Sequence, residues 1–108
     1  MKTILLAGGM GTIAVNLARF FKAKDFKVYA IGNCNNFEDF KYRNQFYDQL
    51  VNESVTYESL SIFRQKIDFI INCTGSGTVG FSNKNPVISF KKSTESTNAI
   101  LEFTRVFQ

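Results

Sequence analysis

Glycines at positions 8, 9 and 11 of this 108-residue sequence stand between a short apolar run, residues 2–7 (KTILLA), and an amphipathic stretch that opens at Thr12. Gly8 permits a tight turn out of a strand. Gly11, lacking a Cβ, lets an anionic group come close to the backbone at the start of a helix, where free N–H groups and the helix dipole meet it. Ala14 is small enough for that helix to pack closely on a sheet. A Gly-x-x-Gly-x-x-Ala pattern placed after a strand and opening a helix reads as a turn for the pyrophosphate of a dinucleotide.

Other residue types narrow the chemistry. Cys34 and Cys73 form neither a CxxC pair nor a metal-ligand cluster, and the chain has no His, which excludes a zinc site and His-based acid–base catalysis. Cys73, at a strand end, reads as a reactive thiol or as a buried inert one, and without a base nearby the inert reading is the stronger. Ser76 and Thr78 fall in a glycine-bearing loop, where a hydroxyl serves its own turn or touches a cofactor or substrate. The 13 basic and 9 acidic residues give a net charge of +4 with no run of like charges, so no nucleic-acid footprint is expected. The apolar start is too short for a signal peptide or a membrane-spanning helix, and a reducing cytoplasm is the expected location.

Hydrophobic patterning supplies the elements that would position these residues. Residues 2–7 read as a strand buried on both faces, and Ile13, Ala14, Leu17, Ala18 and Phe21 form one helical stripe from Thr12 to about Lys24. A second strand is expected at 27–31 and an interrupted helical pattern over 37–51. A third strand is expected at 54–58 (SVTYE), a short helix near Leu60, Phe63 and Ile67, and a fourth strand at 68–73. Pro86 suits the first turn of a last helix reaching the end of the chain. Strict strand–helix alternation predicts a single α/β domain over residues 1–108: a Rossmann-type parallel sheet of four βα units, strand order 3-2-1-4, with helices on both faces. Phe20, Phe21, Phe40, Phe46, Phe90 and Phe103 are expected in the core.

The sequence resembles the extended short-chain dehydrogenase/reductases, which include the NAD(P)-dependent sugar-nucleotide epimerases, dehydratases and reductases. Three segments carry the likeness: AGGMGTIA at 7–14, DFIINCTGSGTVGFS at 68–82, and NPVISFKKSTESTNAILEFTR at 85–105. The resemblance implies that Met10, Thr12 and Ile13 line the pyrophosphate and that Cys73, Thr74 and Gly75 pass near the nicotinamide-side ribose; of the two loop hydroxyls, Ser76 is the one kept as a cofactor contact. It also implies an adenine contact after the third strand. There YESL offers Glu58 with Ser59 beside it, although Glu58 reads equally as a cap for the short helix that follows.

Departures from the family pattern matter as much. The acid that ends the second strand in NAD-binding members is replaced by Gly32, followed by Asn33, which leaves room for a 2′-phosphate and favours NADP over NAD. Ser93 replaces an Asn common in the last helix. No Tyr-x-x-x-Lys pair occurs, so the catalytic half that the resemblance implies is absent from this sequence, and the 108 residues read as an incomplete NAD(P)-binding domain, inactive alone. Its expected partners are a dinucleotide and, given a C-terminal part, a sugar nucleotide, with no nucleic acid and no membrane. The alternative is a small non-catalytic nucleotide-binding or protein-interaction module, a homodimer through the open sheet edge.

Overall fold

A computed structural model of the chain describes residues 1–64, 67–75 and 83–107. Strand β1 (Thr3–Ala7) leads through the glycine turn into helix α1 (Thr12–Ala23), followed by β2 (Lys27–Gly32) and α2 (Phe37–Asn44). Then come β3 (Gln49–Asn52), the one-turn helix α3 (Tyr57–Leu60) with a 3₁₀ turn at Ser61–Phe63, β4 (Phe69–Asn72), and the long helix α4 (Pro86–Phe107).

All strands pair in parallel in the order β3-β2-β1-β4. β1 and β2 are central and read as continuous apolar runs because both of their faces are covered. Alternation of side chains along the strands divides the interior in two. Ile4, Leu6, Val28, Ala30 and Leu50 face Ala14 and Ala18 of α1 and the Tyr47 ring. Leu5, Ala7, Tyr29 and Ile31 face Leu60, Phe63, Ile100 and Phe103 on the other side. Ala14 and Ala18 have no exposed surface, so α1 lies close on the sheet as the small residues at those positions require.

The third strand lies earlier than the pattern suggests, at Gln49–Asn52 and not at 54–58. Its register pairs Leu50 with Ala30 and Val51 with Ile31, which sends Leu50 into one core and Val51 toward the other. The 54–58 stretch, though rich in β-branched and aromatic residues, is captured by a local bond set. Thr56 Oγ1 accepts from the Ser59 amide at 3.1 Å and Ser59 Oγ accepts from the Thr56 amide at 3.0 Å, a capping box that starts α3. The helical pattern over 37–51 accordingly stops at Asn44. Two phenylalanines expected in the core are also outside it: Phe20 is 55% exposed and Phe90 74% exposed. No helix among the described residues is long and apolar enough to cross a membrane.

Candidate functional site

The direction of strand order reverses between β1 and β4, and a crevice opens there at the carboxyl ends of the strands. It is a cleft of about 690 Å³. Gly8, Met10 and Gly11 line it from the glycine turn, Gly32 and Asn33 from the end of β2, and Cys73, Thr74 and Gly75 from the end of β4. Segments distant in sequence thus meet where the sequence places a cofactor.

The turn is built by close approach. Gly8 has φ +91°, and a Cβ there would stand 2.6 Å from the Cys73 carbonyl oxygen, so both conformation and space demand glycine. The Gly8 and Gly9 amides both donate to the Ile31 carbonyl, at 2.8 and 3.0 Å, and the Gly11 amide donates to the Gly8 carbonyl at 3.1 Å. Gly11 differs: a Cβ there would meet only the Gly8 carbonyl, at an ordinary 3.6 Å. Nothing among the described residues requires glycine at position 11, and Gly11 lines the cleft.

Helix α1 begins with Gly11 as its N-cap, with no side-chain cap and no acid in its first turn. The amides of that turn, including those of Thr12 and Ile13, have no acceptor that the helix itself can supply, and the positive end of the helix dipole favours an anion there. What Thr12 and Ile13 offer is backbone; their side chains do not line the cleft, and Ile13 is 70% exposed. Helix α2, in contrast, is capped by Asn36, whose Oδ1 accepts from the Asp39 amide. A pyrophosphate therefore fits this turn on donor chemistry and on space alike.

The other residues singled out in the sequence divide. Glu58 and Ser59 lie in α3 and do not line the cleft; Ser59 Oγ also donates to the Ser54 carbonyl at 2.7 Å. With β3 ending at Asn52, the stretch after it is Glu53–Ser54–Val55, and Ser54, Val55 and Thr56 line the cleft instead. Ser76 and Thr78 lie outside the described residues. Burial raises the pKa of Cys73, so its sulfur stays a thiol and reads as the inert one.

Several contributors were not foreseen. Lys92, Glu95 and Ser96 of α4 line the cleft. The signal was present: the buried stripe of Phe103 and Ile100 continues at steps of three and four through Ser96, Lys92 and Ser89, turning polar where the helix reaches the cleft. Asn72 joins that helix to the loop after β4. Its Oδ1 accepts from the Thr74 amide at 3.0 Å and hydroxyl at 2.5 Å, while its Nδ2 donates to Thr97 Oγ1 at 3.2 Å. Arg43 Nε donates to the Met10 carbonyl at 2.7 Å, and the Tyr47 hydroxyl donates to the Gly9 carbonyl at 2.7 Å. Burial first, and then the nearby Cys73, push the Tyr47 pKa up to about 12 against the opposing charge of Arg43, so the phenol remains a donor. Spacing along the chain did not disclose that α2 and the residues after it would return to the glycine turn.

Comparisons with known proteins agree with this geometry. No curated protein matches the sequence. Among solved structures, the UDP-Glc/GlcNAc 4-epimerase of Campylobacter jejuni is 20% identical with a TM-score of 0.81, the match covering 99% of this chain and 34% of that one. The Thermotoga maritima UDP-glucose 4-epimerase, solved with UDP-glucose, is 18% identical with a TM-score of 0.81 over 97% of this chain and 34% of that one. The Bifidobacterium longum UDP-glucose 4-epimerase, in complex with NAD+ and UDP, is 19% identical with a TM-score of 0.76 over 98% and 34%. The chain spans about a third of the length of these structures, and at such identities they show the fold: a Rossmann-type sheet. The family model described as NAD dependent epimerase/dehydratase matches residues 4–107, nearly the whole chain, and the chain belongs to that family.

Proposed function

We propose that this chain binds NADP or NAD along the cleft and is the cofactor-holding part of a sugar-nucleotide epimerase, dehydratase or reductase. The observation that carries the reading is the uncapped start of α1 at Gly11, open to a cleft at the strand-order reversal. When bound, the nicotinamide supplies a hydride acceptor or donor to the sugar of a nucleotide sugar. The residues here hold it: Gly8, Met10, Gly11, Thr12 and Ile13 at the pyrophosphate, Asn33 at the adenosine ribose, and Cys73, Thr74, Gly75 and Ser76 toward the nicotinamide. Ser54 and Val55 take the adenine-side role that Glu58 and Ser59 had been assigned. Without a Tyr-x-x-x-Lys pair in this sequence, no acid–base step is assigned to it.

NADP is favoured over NAD because Gly32 presents no carboxylate to the 2′-position at the end of β2. The location that suits two free cysteines is the reducing cytoplasm. Thermal unfolding with and without millimolar NADPH and NADH tests the reading: a ligand at about a hundred times its Kd adds about 2.7 kcal/mol, and NADPH is expected to give the larger rise. A well-folded chain unmoved by both defeats it. The module that pairs through the edge of β4, where Phe69 is 51% exposed, would then lead.

A further inference from the structure

Two side chains grip consecutive carbonyls of the glycine turn from the α2 side. The Tyr47 hydroxyl holds the carbonyl of Gly9 and Arg43 Nε holds that of Met10, each at 2.7 Å. In a trans peptide the C=O and N–H point in opposite directions, and the structure contains no cis bond among its described residues. Holding the Gly9 carbonyl against Tyr47 therefore aims the Met10 N–H the other way. The neighbouring amides are occupied, Gly8 and Gly9 by the Ile31 carbonyl and Gly11 by the Gly8 carbonyl. The Met10 N–H has no acceptor among the described residues, and Met10 lines the cleft.

We propose that Tyr47 is a positioning residue for an anionic ligand: by fixing the Gly9 carbonyl, its hydroxyl orients the Met10 N–H as a donor to the pyrophosphate of the dinucleotide. The inference rests on the dinucleotide reading above. Arg43 secures the adjoining peptide against rotation. The Tyr47 ring is 7% exposed, packed with Leu6, Ala14, Val28, Ala30 and Leu50, so its hydroxyl is held by the core and cannot follow a turn that moves. A peptide held in the donor orientation before binding leaves less ordering to be done when the ligand arrives.

The test is Tyr47→Phe, which keeps the ring and removes the donor. Calorimetric titration of the wild-type and variant chains uses ADP, which carries a pyrophosphate, and adenosine, which carries none. ADP affinity is expected to fall about threefold to tenfold with adenosine affinity unchanged. A merely structural role weakens both ligands together; that result, or an unchanged ADP affinity, overturns the inference. A wild-type chain that binds neither ligand overturns the dinucleotide reading itself. Should the variant fail to fold, the wild-type amide spectrum decides: the Met10 amide proton moves downfield with ADP and stays with adenosine, and a Met10 amide that ignores ADP contradicts the proposal.

Discussion

Asn52, the last residue of β3, and Cys34, in the loop after β2, are joined by two reciprocal hydrogen bonds. Asn52 Oδ1 accepts from the Cys34 amide at 2.8 Å, and Asn52 Nδ2 donates to the Cys34 carbonyl at 3.0 Å. The amide side chain thus fixes the peptide next to Asn33, which lines the cleft. Asn52→Ala is expected to cost about 1 kcal/mol of stability and to weaken NADPH binding about fivefold, since the loop must be ordered on binding. Asn52→Asp keeps the acceptor, loses the donor and brings a carboxylate against a carbonyl, so it should bind no better than the alanine variant. Calorimetry on both variants checks this.

Gly8 and the loop after β4 are in contact so close that no side chain can enter. A Cβ at position 8 would lie 2.6 Å from the Cys73 oxygen and 2.8 Å from the Thr74 nitrogen, with φ at +91°. Gly8→Ala should therefore destabilise the fold by about 2 kcal/mol or more, read as a drop in the denaturation midpoint without ligand.

Asp48 ties three elements together: its carboxylate accepts from Lys22 Nζ and from the Val28 amide, each at 2.7 Å. Burial works against its charge, but the Lys22 hydrogen bond and the Val28 amide outweigh it and hold the pKa below the ordinary carboxylate range. A depressed folded-state pKa gives stability that is present above the unfolded value of about 4 and lost as pH falls through the folded one. The side chain is 29% exposed, so the contribution is screened and modest. Urea denaturation across pH 2–7 should show wild-type stability falling on the acid side, with a flatter fall in Asp48→Asn.

Gly32 sits against the glycine turn, where a Cβ would be 3.1 Å from the Gly9 nitrogen and 3.1 Å from Met10 Cγ. Gly32→Asp supplies the missing carboxylate and should shift the ratio of NADH to NADPH affinity toward NADH by about tenfold, at a cost in stability because its Cβ would also lie 3.2 Å from the Met10 nitrogen and the backbone of the glycine turn must yield. The ratio of the two dissociation constants checks this.

The sheet order, both central strands and the glycine turn were legible because they depend on local rules: buried runs, turn glycines and a helical stripe. The third strand was missed because QLVN has two apolar residues and gains its pairing only beside β2, while SVTYE has strand composition but a capping box that holds it in a helix start. With that one shift, Ser54 and Val55 line the cleft and Glu58 and Ser59 do not. That Arg43 and Tyr47 hold the glycine turn was invisible in the sequence because their partners are backbone carbonyls 33 and 38 positions earlier, contacts that only the tertiary fold creates.

Gly11 tests the central claim most directly, because no described residue stands where its Cβ would be. Calorimetric titration of NADPH into wild-type and Gly11→Ala chains should show binding by the first and a loss of tenfold or more in the second, with unfolding free energies of the free proteins within about 1 kcal/mol of each other. Equal affinity in the two chains would contradict a pyrophosphate seated on the glycine turn.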